Sequence, residues 1–285
     1  MRLANHAGRA TIVRATGGID VGDASGGRFG PDIGDIYAHW DDFATFAADL
    51  PDDAPLRVID PARLGSPVPR PPQVFAVGLN YRDHAQETGM TPPEIPAVFT
   101  KFPASLAGPF DDVLLSGTTV DWEVELVVVI AHRVDFVAEE DAWAHVAGVS
   151  VGQDISDRTT QFAAGAQFSL GKSYRGYGPI GPWLVSPDEL ADRDALPLRC
   201  SINGQIVQDA NTAEMIFSVG ALISRIAEIC PLLPGDVIFT GTPAGCGVAA
   251  KPPRFLAPDD SLESTIEGVG TIRNVMRAAD QTGRG

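Results

Sequence analysis

The stretch Val120–Ala131 constrains the fold most, because an acidic, alternating segment runs directly into a continuous apolar one. The β-branched and aliphatic run that ends it predicts a strand buried on both faces. Side chains alternate along a strand, so Asp121, Glu123 and Glu125 are expected to point to one side. Like charges beside a buried strand are costly unless another group compensates them.

A hard divalent cation would supply that compensation, because Mg²⁺ and Mn²⁺ prefer carboxylate oxygens. Asp154 directly follows a second strand candidate, Val149–Gln153. If the two strands are neighbours, Asp154 converges with Glu123 and Glu125 on one point. The alternatives are an acidic, solvated edge strand and a simple turn role for Asp154.

The composition is typical of a soluble globular protein: of 285 residues, 44% are hydrophobic and 20% charged. The formal net charge of −16 argues against nucleic acid and anionic membrane surfaces as partners. Three widely spaced cysteines show neither a disulfide framework nor a zinc spacing. Together with the lack of an apolar signal core or membrane-spanning segment, they predict a cytoplasmic protein.

The proline-rich segment at residues 66–72 divides the chain into two predicted domains. Residues 1–65 form a small N-terminal α+β unit in this prediction, residues 73–278 a larger domain that contains the acidic stretch, and 279–285 a flexible tail. Many strands and few helices after residue 73 indicate an α+β, β-rich fold, without alternating βαβ units. The hairpin signal Asn203–Gly204 and a helical pattern over Ala213–Ile229 support this assignment.

His84 and Glu87 are candidates for a catalytic dyad. Three residues apart on a helix, they share a face, so the carboxylate can orient the imidazole and raise its basicity. The alternative is a solvated surface pair.

Cationic, amide and hydroxyl side chains supply further candidates. Lys101, Arg158, Gln161 and Lys172 could bind an anionic substrate, although solvated surface positions are the default for each. The glycine-rich segment 240–247 follows a strand candidate and could offer backbone N–H groups to a carboxylate, or could be a plain tight turn.

Taken in order, these motifs resemble the fumarylacetoacetate hydrolase family over residues 73–277. The motifs that carry the resemblance are Gly78-Leu79-Asn80-Tyr81-x-x-His84-x-x-Glu87, Glu123-x-Glu125, Asp154 with Arg158 and Gln161, Gly171-Lys172, and Thr240-Gly241-Thr242-Pro243-x-Gly245-x-Gly247.

The resemblance implies a mixed β-sandwich or roll that usually forms a homodimer. It implies Mg²⁺ or Mn²⁺ held by Glu123, Glu125 and Asp154. It further implies that His84 and Glu87 activate water on a lid segment and that Lys172 is an active-site lysine. Residues that match or adjoin substrate-lining positions are Tyr81, Arg158, Gln161, Arg175 and Thr242.

Family substrates are 2-oxo or β-diketo acids, whose carboxylate and oxo oxygens can chelate a metal that then stabilises an enolate. The resemblance therefore predicts hydrolysis of a C–C bond in an acylpyruvate-like compound. Alternatives are an isomerase or decarboxylase of the 2-hydroxyhepta-2,4-dienedioate or oxaloacetate type in aromatic catabolism, and a non-catalytic binding relative. Arg175-Gly176-Tyr177 departs from the family's usual Asp-Thr-Phe, and we expect Arg175 to favour a substrate with a second carboxylate.

Overall fold

The computed structural model describes residues 1–163, 165 and 167–278, which contain eighteen β-strands and six α-helices. The strands are β1 (Arg2–His6), β2 (Arg9–Arg14), β3 (Gly17–Asp20), β4 (Leu64–Gly65), β5 (Val74–Gly78), β6 (Ala97–Thr100), β7 (Leu106–Ala107), β8 (Val113–Leu115), β9 (Val120–Asp121), β10 (Val124–Ile130), β11 (Val146–Gln153), β12 (Ser156–Asp157), β13 (Gly178–Val185), β14 (Pro197–Ile202), β15 (Gln205–Asn211), β16 (Val237–Phe239), β17 (Ser261–Ile266) and β18 (Gly270–Ala278). The helices are α1 (Val21–Ala24), α2 (Ile33–Ile36), α3 (Trp40–Ala48), α4 (Arg82–Glu87), α5 (Arg158–Ala163) and α6 (Val219–Ala227).

Two large sheets dominate the fold. An eleven-stranded mixed sheet has the order β3-β2-β1-β13-β11-β10-β16-β5-β6, with β4 and β7 as side branches. A five-stranded sheet has the order β15-β14-β17-β18-β8, and β9 pairs only with β12. The α+β, β-rich class predicted from the sequence is confirmed.

Strand β10 lies in the centre of the larger sheet, and all seven of its residues are buried. Leu126 and Val128 belong to the core shared with the five-stranded sheet. Val127 and Val129 point the other way, into a second core. Burial on both faces explains why this strand is a continuous apolar run, as the sequence predicts.

The N-terminal segment is continuous with the rest of the molecule in both sheet and core. Strand β1 pairs antiparallel with β13, with Leu3 opposite Leu184. Phe43 of α3 packs in the same core as Val127 and Val129. The domain boundary at residues 66–72 therefore stays a prediction about independent folding, while strand pairing and packing both cross it.

Local differences from the sequence prediction have simple causes. Helix α6 begins only at Val219, where the Ser218 hydroxyl accepts the N–H of Ala221 and caps it. Residues 17–36, which are rich in Gly and Asp, contain β3, α1 and α2, and Asp20 and Asp32 cap these helices. The predicted tail at residues 279–285 lies outside the described residues. None of the described helices has the length and hydropathy needed to cross a bilayer.

Candidate metal and active site

The acidic stretch is interrupted where it meets the site. Strand β9 ends at Asp121 and β10 begins at Val124, so the expectation that one strand carries Asp121, Glu123 and Glu125 is wrong. Asp121 instead accepts hydrogen bonds from the backbone N–H groups of Gly247 and Val248, at 2.8 and 3.0 Å. It is therefore an anchor for the glycine-rich turn.

The other two acids meet Asp154 as predicted. In the antiparallel pair β10–β11, Val124 lies opposite Gln153, and the N–H of Asp154 donates to the Glu123 carbonyl at 2.9 Å. One carboxylate oxygen from each of Glu123, Glu125 and Asp154 lies within 4.8 Å of the others. All three side chains are buried. Strand register thus brings together acids that are some thirty residues apart in the chain.

Two buried lysines neutralise much of this acid cluster. Lys172 Nζ lies 2.7 Å from Glu123 Oε2 and 2.6 Å from Asp154 Oδ2. Lys101 Nζ lies 2.7 Å from Asp154 Oδ1 and also donates to the Lys172 carbonyl. Burial lowers the pKa of Lys101, whereas at Lys172 the charges of Asp154 and Glu123 outweigh burial and raise the pKa.

Arg158 supplies the third cation. Its Nη2 lies 2.7 Å from Asp121 Oδ2 and 2.7 Å from Glu123 Oε1, and its Nη1 donates to Gln161 Oε1 at 2.8 Å. Although burial opposes ionisation of Glu123, Lys172 and Arg158 hold the pKa of this carboxyl below its usual range. Arg158 and Gln161 thus lie in the site, where their described contacts are with acids and with each other.

Among the described residues, Glu125 is the acid of this cluster that forms no ion pair. Its Oε2 accepts the N–H of Gly241 at 2.8 Å. Burial, reinforced by Asp154 and Glu123, raises its pKa well above the usual value. Four acids therefore face three cations here, and the unbalanced charge falls on a predicted metal ligand. A divalent cation could replace a proton at Glu125, so this all-oxygen donor set fits Mg²⁺ or Mn²⁺.

The dyad is formed as predicted. His84 Nδ1 lies 2.7 Å from Glu87 Oε1, and Glu87 Oε2 accepts the N–H of Gly245 at 2.9 Å. An ionised carboxylate only accepts hydrogen bonds, so Nδ1 carries the proton and Nε2 is left as the basic nitrogen. A ring nitrogen of His84 also lies within 4.8 Å of a Glu123 oxygen. The imidazole therefore borders the acid cluster.

Strands β5 and β16 pair in parallel. The dyad, which follows β5, and the glycine-rich turn, which follows β16, therefore lie at the same end of the two strands. Leu79 turns the chain sharply after β5 at φ +56°, an uncommon conformation for a residue with a side chain. Asn80 Nδ2 then donates to the Thr240 carbonyl at 2.7 Å. Gly241 has φ +101°, and a Cβ there would lie 2.6 Å from Asn80 Cβ, so only glycine fits.

The remaining predicted substrate residues differ in their positions. The Tyr81 hydroxyl is buried without a hydrogen-bond partner among the described residues, and burial, with Glu125, raises its pKa. Thr242 Oγ1 donates to the Val124 carbonyl at 2.9 Å and accepts from Gln208 Nε2. Arg175 is exposed and forms no ion pair with a described residue. The roles of all three in substrate binding stay predictions.

Three further side chains make contacts in the site that the sequence did not predict. Lys101 was one of several cations, and only its burial against Asp154 separates it from surface lysines. Gln208 bridges β10 and the glycine-rich turn from β15. Cys246 is buried, and its Sγ lies within 4.8 Å of ligand atoms of His84 and Glu123. Their local sequence does not indicate these contacts.

Comparison with known proteins shows which proteins this chain resembles. Residues 73–277 match the family model described as "Fumarylacetoacetate (FAA) hydrolase C-terminal". The rat oxaloacetate tautomerase Fahd2a is 43% identical over 211 residues, which cover 73% of this chain and 67% of the relative.

Solved structures extend the likeness to the N-terminal segment. A Mycobacterium smegmatis protein with the provisional name HpcE superposes with a TM-score of 0.92 at 51% identity, covering 98% of this chain and 100% of that one. Maleylpyruvate hydrolase from Sphingobium, in complex with manganese(II) and pyruvate, has a TM-score of 0.80 at 27% identity and the same coverage.

Proposed function

Because this chain belongs to the fumarylacetoacetate hydrolase family, we propose that it is a divalent-metal-dependent enzyme that hydrolyses a C–C bond of a small acylpyruvate-like acid. One observation carries the proposal: three buried carboxylates converge, and a carboxylate-oriented imidazole lies beside one of them, Glu123. Members of this family include hydrolases, isomerases and tautomerases, so this chain is an enzyme of that group.

Glu123, Glu125 and Asp154 would hold the cation. A bound Mg²⁺ or Mn²⁺ supplies Lewis acidity to the 2-oxo carboxylate of the substrate. The manganese and pyruvate bound by the Sphingobium hydrolase support this assignment.

The dyad residues perform the proton transfers. His84 Nε2 takes a proton from water, and the water oxygen forms a bond to the distal carbonyl carbon. The C–C bond then breaks, its electron pair moves to the pyruvate fragment, and the proton held by His84 is returned to that fragment. Glu87 keeps the imidazole in the required tautomer throughout. The ammonium group of Lys172 stabilises negative charge on oxygen.

Access to this site requires motion. His84, Glu123, Glu125 and Asp154 are each at most 8% exposed. Helix α4 closes one side and is joined to the glycine-rich turn by the Glu87–Gly245 hydrogen bond. We propose that α4 and the loop after it open as a lid to admit substrate.

The test is a panel of oxo acids assayed with the metal-free protein and with added Mn²⁺ or Mg²⁺. We expect metal-dependent conversion of an acylpyruvate to pyruvate and a carboxylic acid, identified by mass spectrometry. Consumption of the substrate without C–C cleavage would contradict the hydrolase assignment. Inactivity across the panel, with and without metal, would favour a non-catalytic binding protein.

The second candidate is a tautomerase, isomerase or decarboxylase. The 43% identity to a protein named oxaloacetate tautomerase favours it. Oxaloacetate and 2-hydroxyhepta-2,4-dienedioate therefore belong in the panel. Keto–enol exchange or double-bond migration without release of a fragment would identify this class.

A further inference from the structure

The thiol of Cys246 lies inside the site but has no part in the chemistry proposed above. It belongs to the glycine-rich turn, and its hydrogen-bond contacts with described residues are long, at 3.9 Å to Gln208 Nε2 and 4.0 Å to the Pro243 carbonyl. Its sulfur is therefore a buried donor that the surrounding residues hold only weakly.

Cys246 is part of a second set of ligand atoms beside the acid cluster. Sγ of Cys246, a ring nitrogen of His84 and a carboxylate oxygen of Glu123 all lie within 4.8 Å of one another. Tetrahedral zinc, with ligands about 2.0–2.3 Å from the ion, separates its donors by roughly 3.5 Å. Small side-chain shifts would bring the three atoms to that spacing.

Hydrogen bonds to Glu87 and Asp121 hold His84 and the turn that bears Cys246 in place. Glu87 accepts from the Gly245 N–H and contacts His84, so one carboxylate couples the helix to the turn that bears Cys246. A carboxylate at the second ring nitrogen is the usual support for a metal-binding histidine. Asp121 holds the turn on its other side through the Gly247 N–H.

The two donor sets select different ions. Carboxylate oxygens alone suit Mg²⁺ or Mn²⁺, whereas imidazole nitrogen with a thiolate favours Zn²⁺ and Cd²⁺. We propose that His84, Glu123 and Cys246 form a second, inhibitory metal site for thiophilic cations. When the sulfur–metal bond forms, the thiol proton leaves to solvent, and no oxidant or reductant takes part. An ion bound to His84 would prevent the imidazole from acting as the base that the proposed hydrolysis needs.

Titration of the purified protein with Cd²⁺ tests the site without reference to any activity. We expect a thiolate-to-cadmium charge-transfer absorption in the ultraviolet that saturates at one equivalent per chain. Cys246→Val and Cys246→Ser should each abolish this absorption. His84→Gln should weaken Cd²⁺ binding at least tenfold.

Cys230 provides the matched control, because it is a free, partly exposed cysteine outside the site. Cys230→Ser should keep the full absorption. Retention of the band in folded Cys246→Val and Cys246→Ser, or its loss in Cys230→Ser, would overturn the proposal. Two substitutions of different polarity guard against misfolding of one of them.

A second experiment, on inhibition by Zn²⁺, rests on the proposed function. With Mn²⁺ as the activating ion, Zn²⁺ should inhibit wild type at concentrations at least tenfold below those that inhibit Cys246→Val. Equal sensitivity would mean that Zn²⁺ acts by displacing Mn²⁺ from the acid triad, and the inhibitory role would be wrong. Absence of any turnover would count against the proposed function, while the cadmium titration would still decide the metal site.

Discussion

At the scale of single residues, burial decides which charges carry function. Glu123 and Asp154 lie beside apolar strands, and the buried cations Lys101, Lys172 and Arg158 form ion pairs with them. The residual imbalance at Glu125 marks the position where a cation gains most. Mutation can separate the contribution of Glu125 to metal binding from the contribution of His84 to catalysis.

His84→Ala should lower turnover by about 10²- to 10⁴-fold, because the general base is lost while the carboxylate ligands remain. Mn²⁺ affinity, measured by calorimetry, should stay within a few-fold of wild type. Asp83→Asn, on the exposed face of the same helix, is the control and should retain activity. An active His84→Ala enzyme would refute the role of the dyad.

Glu125→Gln should have opposite effects on stability with and without metal. The raised pKa of Glu125 means that folding favours its protonated form, so ionisation costs stability as pH rises above about 4.3, the value in the unfolded chain. The variant should therefore unfold at a higher temperature than wild type in EDTA at neutral pH.

In Mn²⁺ the order should reverse. Saturation at 100 times the dissociation constant stabilises wild type by about 2.7 kcal/mol, a gain that the variant should lack. Thermal unfolding followed by fluorescence over a Mn²⁺ series measures both effects. Equal Mn²⁺ stabilisation of the two proteins would exclude Glu125 as a ligand.

Asp121→Asn should destabilise the fold by about 3 kcal/mol, because Arg158 loses a buried partner and the turn loses an anchoring charge. Denaturant unfolding measures the change. The surface pair Asp112–Arg277 provides the control, and Asp112→Asn should leave the midpoint unchanged. Similar changes in the free energy of unfolding for the two substitutions would mean that burial does not strengthen the Asp121–Arg158 pair.

At the scale of elements, the site depends on how two chain segments meet. Helix α5 carries Arg158 and Gln161, and the segment after it carries Lys172. Gly171 lets these two pieces touch, because a Cβ at this position would lie 2.5 Å from the backbone of Gln161. Backbone atoms cannot move aside as a flexible side chain can.

Gly171→Ala should therefore displace Lys172 from the acid cluster and cost about 1–3 kcal/mol of stability through overpacking. Turnover should fall more steeply than stability, because the lysine contacts two catalytic-site acids. Gly30→Ala is the control, since its added Cβ would meet only Asp35 Oδ2 at 3.6 Å. Full activity in Gly171→Ala would show that the close approach is unimportant.

At the scale of the whole molecule, exposed apolar side chains suggest where a second copy binds. Phe162 and Leu170 are 50% and 65% exposed, and Phe102, also exposed, adjoins this surface through the hydrogen bond from its N–H to Ser173. Large exposed apolar groups that lie close together are typical of interfaces. The homodimer and the cytoplasmic location both stay predictions.

Sedimentation equilibrium should give a mass near twice 30.1 kDa. Leu170→Glu should shift the protein toward the monomer, because the added charge would be buried without a partner. Ile229→Glu is the control, because Ile229 is 88% exposed on a different part of the chain. A monomeric wild type, or a dimer unaffected by Leu170→Glu, would contradict the prediction for this surface.

The local sequence was enough to identify the two glutamates and the dyad as candidate site residues. Glu123-x-Glu125 alternates with apolar residues and His84-x-x-Glu87 has helical spacing, so each pair could be recognised from neighbouring residues alone. The apolar run of β10 likewise predicts its burial on both faces. These features depend on side-chain periodicity, which a single segment already contains.

Only the tertiary structure decided the contacts between distant segments. Strand register placed Asp154 beside Glu123, and the break after Asp121 directed that carboxylate to Arg158 and the glycine-rich turn. The burial of Lys101 and the approach of Cys246 to His84 depend on elements that are far apart in sequence. Such contacts arise from packing of whole sheets, so no local pattern can specify them.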